Sequence, residues 1–372
     1  MKKVYLLVVI GSIACAAGVA ACDDDDNTTP TEDAGTPSPD TGVPDTDGGT
    51  QDPDSGVEGE LKVETYTSAD AADAMHSYVV TGATSAMVVN TQFFKADAEK
   101  LVQLIQSTGK DLKFIVLTHA SPDHWMGVKV VKDAFPAAEF VSAVNVAGVY
   151  TASAQATFDA LKAIYTTQIP DGPIVPITGK EIITQNSSNA PHAFIELDGN
   201  KIFLYAQKFS GHAPTSVIVA LPDKRVFAGD LVGPKSHLFL GYCQSPGWLS
   251  NLGMTAPFSF NTFYPSHGDT PADWQASVPE TGKYVTIATS ILRDSADFPN
   301  ANMPDAGAPF DAGSSWDAGE TPTAVDVAKA KLQAVFPEHK NPTLLDRSVR
   351  AYIEGSAFNG NKKCDFVDAG LN

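Results

Sequence analysis

Cysteine is scarce in this chain. Of 372 residues only four are Cys, and two of these, Cys15 and Cys22, lie close to the N-terminus. That excludes a disulfide-dense mini-domain and leaves Cys243 and Cys364 as one pair able to bridge in an oxidising compartment. Basic residues are also few: 25 Lys and Arg against 44 Asp and Glu give a net charge of −19. Nothing in the chain resembles a basic stripe, so nucleic acid is not expected as a partner. From Asp23 to Glu60 there is no Lys or Arg and almost no bulky apolar residue, while Asp, Thr, Pro and Gly abound. Such a segment cannot bury a core and is expected to be an extended, self-repelling tether. Its thirteen carboxylates carry most of the excess negative charge, so the remainder is only mildly acidic.

What is present at the N-terminus is a short address. Met1-Lys2-Lys3, the apolar run Val4 to Ile10 and a small-residue stretch have the layout of a secretory signal, too short for a dependable membrane span. It ends in Val19-Ala-Ala-Cys22, which resembles a bacterial lipoprotein signal. The resemblance implies lipid on Cys22, residues 1–22 as signal peptide, and export to a membrane-anchored position facing the periplasm or cell surface. Residues 23–60 then form the tether and residues 61–372 one large α/β domain.

Periodicity within 61–372 predicts helices at Ala96–Thr108, Val128–Ala134, Asn145–Tyr165, Val325–Phe336 and Leu344–Phe358. Strands are expected at Phe114–Leu117, at Phe140–Ser142 and in succession through Ala193–Leu221, with a turn at Asp198-Gly199. A second Asp-, Ala-, Gly- and Pro-rich stretch at 300–323 reads as a mobile insertion.

The chemistry concentrates after the run Phe114 to Leu117, where the sequence continues Thr118-His-Ala-Ser-Pro-Asp-His-Trp-Met-Gly127. His119, Asp123 and His124 thus sit in a loop at the C-terminal end of a buried strand, where α/β folds keep their sites. Two imidazoles and a carboxylate offer the mixed N/O set that zinc, iron or manganese accepts. Further ligands are sought at other strand ends. The candidates are His212 after Lys201–Tyr205, Asp230 closing Arg225-Val-Phe-Ala-Gly-Asp230, and His267 in Phe263-Tyr-Pro-Ser-His-Gly268.

In this order and spacing, the blocks resemble the metallo-β-lactamase fold superfamily from about residue 61 to at least 270. His76–Val80 and Met87–Thr91 are similar to its first two strands, with Asn90 where an Asp is usual. The resemblance implies a four-layer αββα sandwich, one or two zinc ions, and hydrolysis. The family's first metal motif, His-x-His-x-Asp-His, maps onto His119, Ser121, Asp123 and His124, so its middle His is missing. His212, Asp230 and His267 fill the remaining positions. One implied metal set, Asp123, His124, Asp230 and His267, is whole. The other keeps His119, His212 and Asp230 but has the Ser121 hydroxyl, a poor zinc ligand, in place of an imidazole. A dinuclear site with a weakened first position and a single ion at the second are both open, as is a metal-free relic.

With metal, the expected reaction is attack of a metal-bound hydroxide on a small ester, lactone or thioester, with Asp123 orienting the nucleophile and passing the proton. A β-lactamase proper and a catalytically weak binding protein are the alternatives; fold resemblance does not decide substrate. Ser121 is expected to bind water beside the metal rather than act as a nucleophile. Trp125 and Met126 either line the substrate mouth or pack beneath the next helix. Cys243 does not match the position of a ligand Cys in relatives. His192, His237 and His339 have no motif partners and read as surface or structural residues.

Overall fold

The computed structural model describes residues 59–69, 74–181, 192–210, 213–296, 323–355 and 364. The expected signal peptide with Cys22, all but the last two tether residues, His212, and all but the final residue of the 300–323 stretch lie outside them. Among the described residues, no helix is long and apolar enough to cross a membrane.

The first sheet begins as an antiparallel meander of β1 (Lys62–Thr67), β2 (His76–Thr81) and β3 (Ser85–Val89). It continues in parallel through β4 (Asp111–Val116), β5 (Glu139–Ala143) and β6 (Thr178–Lys180). Parallel neighbours need crossovers. These are supplied by α1 (Lys95–Ser107), by α2 (Pro122–Trp125) with α3 (Val128–Ala134), and by α4 (Val144–Tyr165). In α1, Ala98, Leu101, Val102 and Ile105 recur at helical spacing and are buried, which gives the helix one face for the sheet. Strands β2 and β3 are buried throughout, as expected of strands covered on both faces.

The second sheet runs β7 (His192–Leu197), β8 (Asn200–Ser210), β9 (Ala213–Ala220), β10 (Val226–Phe227), β11 (Thr262–Tyr264) and β12 (Ala272–Asp273). It is antiparallel except for the parallel pair β10 and β11. The turn expected at Asp198-Gly199 joins β7 to β8, with φ of 49° and 84°, the positive pair that a tight two-residue hairpin requires. The Asp198 carboxylate accepts from the Thr84 and Ser85 amides at 2.8 and 2.9 Å, fastening this hairpin to the first sheet.

Apolar residues of both sheets, among them Val79, Met87, Ile115, Ile195, Leu204 and Val217, merge into one core. On the far side of the second sheet, Trp248, Trp274, Tyr284 and Leu345 belong to another core with Val226 and Phe263. It is closed by α5 (Ser245–Thr255), α6 (Trp274–Ala296), α7 (Ala324–Val335) and α8 (Pro342–Ile353). The two sheets therefore lie between helices, in the expected αββα order. The last helix is shorter than its apolar pattern suggests. It starts at Pro342, which suits a first helical position, and ends at Ile353 rather than Phe358.

The C-terminal helices dock through a buried aromatic cluster that the sequence did not point to. His237 Nδ1 lies 3.2 Å from the Tyr284 hydroxyl, and His339 stacks on the Tyr284 ring at 5.1 Å. Burial, and then the nearby His339, lower the His237 pKa to about 4. Between pH 6.5 and 4 the unfolded chain therefore binds the proton that folded His237 refuses, and stability falls as pH falls through that window. Urea unfolding at pH 7 and pH 4.5 should show a loss on acidification that is smaller in His237→Gln, by up to about 3 kcal/mol. An equal loss in both proteins would contradict this role.

Candidate metal centre

Two pairs of adjacent strands present the candidate ligands. In the first sheet, the chain leaves β4 and turns through Thr118 and His119 into α2, a single helical turn with Pro122 at its start. This turn places Asp123 and His124 side by side. It is held from beneath: the Thr91 amide and hydroxyl both donate to the His124 carbonyl, at 2.8 and 3.1 Å. The Thr118 carbonyl accepts from the Val217 amide of β9 at 2.8 Å, which joins the loop to the second sheet. In that sheet, β10 and β11 run parallel, so the turns that follow them emerge together and carry Asp230 and His267. The Ser266 amide donates to the Gly229 carbonyl at 3.2 Å.

Gly229 has φ +56°, and a Cβ there would lie 2.8 Å from Thr118 Oγ1 and 3.1 Å from His119 Nδ1. The backbone before Asp230 thus approaches Thr118 and His119 closely, as only glycine allows. Asn90, also in a left-handed conformation, accepts at Oδ1 from both the amide and the hydroxyl of Thr118, at 3.0 and 3.1 Å. Since that hydroxyl gives its proton to Asn90, its oxygen must accept from His119 Nδ1, 3.2 Å away. His119 is then protonated at Nδ1, and its Nε2 lone pair faces Asp230 Oδ2 at 3.6 Å. The Asn90 amide nitrogen in turn donates to Ser266 Oγ at 3.4 Å, beside His267.

Asp123, His124, Asp230 and His267 each offer one ligand atom, all within 4.8 Å of one another. The separations are 3.4 Å from His124 Nε2 to Asp230 Oδ1, 3.3 Å from His267 Nε2 to Asp123 Oδ2 and 3.7 Å from His267 Nε2 to Asp230 Oδ1. Tetrahedral coordination at zinc bond lengths near 2.05 Å would put ligand atoms about 3.3 Å apart, so the spacing suits a small divalent ion. Both ring nitrogens of His124 are buried and make no hydrogen bond, although each has a carboxylate oxygen within 3.4 Å. The donor set therefore fits a metal better than a hydrogen-bonded network. Asp230 turns one oxygen to His124 and His267 and the other to His119, the disposition of a carboxylate shared between two positions.

The electrostatics agree. Burial opposes ionisation of Asp123, but the charge of His124, with the charge and hydrogen bond of His267, outweighs it and holds the carboxyl well below its usual range. Burial also opposes the imidazolium of His124, yet Asp123 and Asp230 raise its pKa to about 10. His267 is raised against burial by Asp230 and then Asp123. In the metal-free protein, protons on these rings neutralise the carboxylates, and a divalent ion would take over that task.

Of the sequence candidates, the fold brings together His119, Asp123, His124, Asp230 and His267, while His212 lies outside the described residues. His119 stands beside the four-residue group, its ring centroid 4.0 Å from that of His124. Ser121 immediately precedes α2, and its side chain does not cap that helix. Asp123 retains 13% side-chain exposure against 7% or less for the other four, which places it at the opening of the site. Trp125 and Met126 are buried, Trp125 packing edge-on against Tyr150 at 5.3 Å, so they are packing residues rather than a substrate mouth. Cys243 forms a disulfide with Cys364. Sequence reasoning missed Tyr242, whose phenol is raised by burial and then by the charges of Asp123 and Asp230. Nothing in the local sequence marks it except its place beside Cys243.

The chain is similar to several solved structures. The metallo-β-lactamase DIM-1 in a structure exposed to ceftazidime has a TM-score of 0.45 at 21% identity, covering 62% of this chain and 95% of that one. A metallo-β-lactamase family protein from Thermus thermophilus has a TM-score of 0.48 at 16% identity, covering 78% and 91%. A metallo-β-lactamase from Pontibacter korlensis gives 0.42 at 19% identity, covering 61% and 94%. No curated protein sequence matches the chain. The sequence profile of the metallo-β-lactamase superfamily matches residues 73–330, more than half of the chain, and the chain belongs to that superfamily.

Proposed function

We propose that this protein is an exported, lipid-anchored zinc hydrolase acting on a small ester, lactone or thioester. The observation that carries the catalytic part is the four-ligand group of Asp123, His124, Asp230 and His267. These residues would hold the tighter ion, and His119 with Asp230 Oδ2, completed by His212, would hold a second one more weakly because Ser121 lacks an imidazole. A bound divalent ion supplies two things here: water acidified to near neutral pKa, and polarisation of the scissile carbonyl. Asp123, at the opening, would orient the attacking water, accept its proton and return that proton to the leaving group.

Export is supported by the charged and apolar N-terminal regions ending in Val19-Ala-Ala-Cys22, and by the Cys243–Cys364 disulfide, a bond at home in oxidising compartments. Lipid on Cys22 and the acidic segment 23–60 would place the enzyme at the end of a tether. One observation favours a second reading: Ser121 in the ligand motif is what a weak or inactive binding protein would carry.

Turnover of an aryl ester, a γ-lactone, a thioester and a chromogenic cephalosporin by the purified protein separates these readings. Hydrolysis of one of the first three is expected, abolished by a chelator and restored by zinc. Cephalosporin cleavage alone would indicate a β-lactamase. Zinc uptake without turnover of any substrate would favour the binding protein.

A further inference from the structure

We propose that His76 is a positioning residue for the metal centre, gripping the chain on both sides of His267. Its backbone amide donates to the Ser266 carbonyl at 2.8 Å, and its Nε2 bonds the Gly268 carbonyl at 2.9 Å. His267 lies between these two points, so one residue of β2 in the first sheet fixes a ligand borne by the second. A carbonyl only accepts, so Nε2 must carry the proton. Burial lowers the His76 pKa to about 4, leaving a neutral ring whose Nδ1 accepts from the Thr67 hydroxyl at 2.9 Å. Thr67 thereby selects the tautomer that can hold the loop.

The loop cannot easily adopt another path. Gly268 has φ +97°, and a Cβ at that position would approach the Pro234 carbonyl oxygen to 2.1 Å. Two residues along β2, the Tyr78 hydroxyl donates to the Pro265 carbonyl and lies 2.9 Å from Thr270 Oγ1. The His267 turn is thus held at Pro265, Ser266, Gly268 and Thr270 by two alternate residues of one strand. Asp123 and His124 come from the loop after β4 in that same sheet. The grip therefore sets the spacing between ligands from the two halves of the molecule, and partners of this kind typically change metal affinity 10- to 100-fold.

The inference rests on the metal-centre reading above, and cobalt binding distinguishes the two. Wild-type protein, His76→Leu, His76→Gln and Thr67→Val are titrated with Co²⁺, following affinity and the visible d–d bands, and the apo proteins are unfolded in urea. His76→Leu is expected to bind Co²⁺ about 10- to 100-fold more weakly with altered bands. His76→Gln, which keeps an N–H donor, recovers much of that loss. Thr67→Val, at an exposed position, weakens binding several-fold with an unchanged apo unfolding midpoint. Wild-type affinity and bands in Thr67→Val and in a folded His76→Leu overturn the proposal while leaving the metal centre intact. If His76→Leu does not fold, wild-type affinity and bands in Thr67→Val overturn it. Failure of the wild type to bind Co²⁺ overturns both readings.

Discussion

Asp230→Ala is expected to release the bound ion and lower kcat/KM by at least about 10³-fold, equivalent to roughly 4 kcal/mol of lost transition-state stabilisation. Asp230 faces both halves of the centre. Its Oδ1 lies 3.4 Å from His124 and its Oδ2 3.6 Å from His119, so the truncation would remove a proposed ligand from each of the two proposed metal positions at once. It also removes one of the two carboxylates that hold the His124 imidazolium at its raised pKa, leaving a buried ring with less compensation. Asp230→Asn separates the effects, because the amide keeps the shape and loses the charge. Elemental analysis for bound zinc alongside steady-state kinetics checks the prediction. Near-normal turnover in either variant would contradict the assigned role of Asp230.

The second large effect concerns Ser121. Zinc titration of the wild-type protein against a chromophoric chelator should show two phases, the tight one assigned to Asp123, His124, Asp230 and His267. Ser121→His should strengthen the weak phase by at least about tenfold, since an imidazole would complete a set that otherwise needs solvent for closure. The neighbouring ligand is already prepared. The relay from Asn90 through Thr118 to His119 fixes the proton on Nδ1 and turns Nε2 to the site. An unchanged titration in Ser121→His would show that position 121 does not face the metal.

Much of the centre was legible because each ligand follows an apolar run, and a buried strand that ends in a polar loop exposes its end to a crevice. The apolar run before His119, Asp123 and His124 was enough to place them in a loop at the C-terminal end of a buried strand. Gly229 before Asp230 has the left-handed conformation and close contacts that suit glycine. The supporting residues were not legible. Thr67, His76 and Thr118 reach the site through strand pairing and a crossing between sheets, relations that no local pattern encodes. The burial of Trp125 was ambiguous from sequence, since a Trp beside a ligand can face substrate or core, and only the packing of Tyr150 decides. His237 and His339, correctly read as lacking motif partners, form a docking cluster whose members come together through α6 and the segment joining α7 to α8.

The central claim is that a divalent ion is held between the two sheet ends. Anomalous diffraction at the zinc edge from crystals grown with zinc tests it most directly. The account predicts a peak within bonding distance of Asp123, His124, Asp230 and His267, with any second, weaker peak between His119 and Asp230. A protein saturated with zinc that shows no peak among these residues, or shows its ion elsewhere, would contradict it.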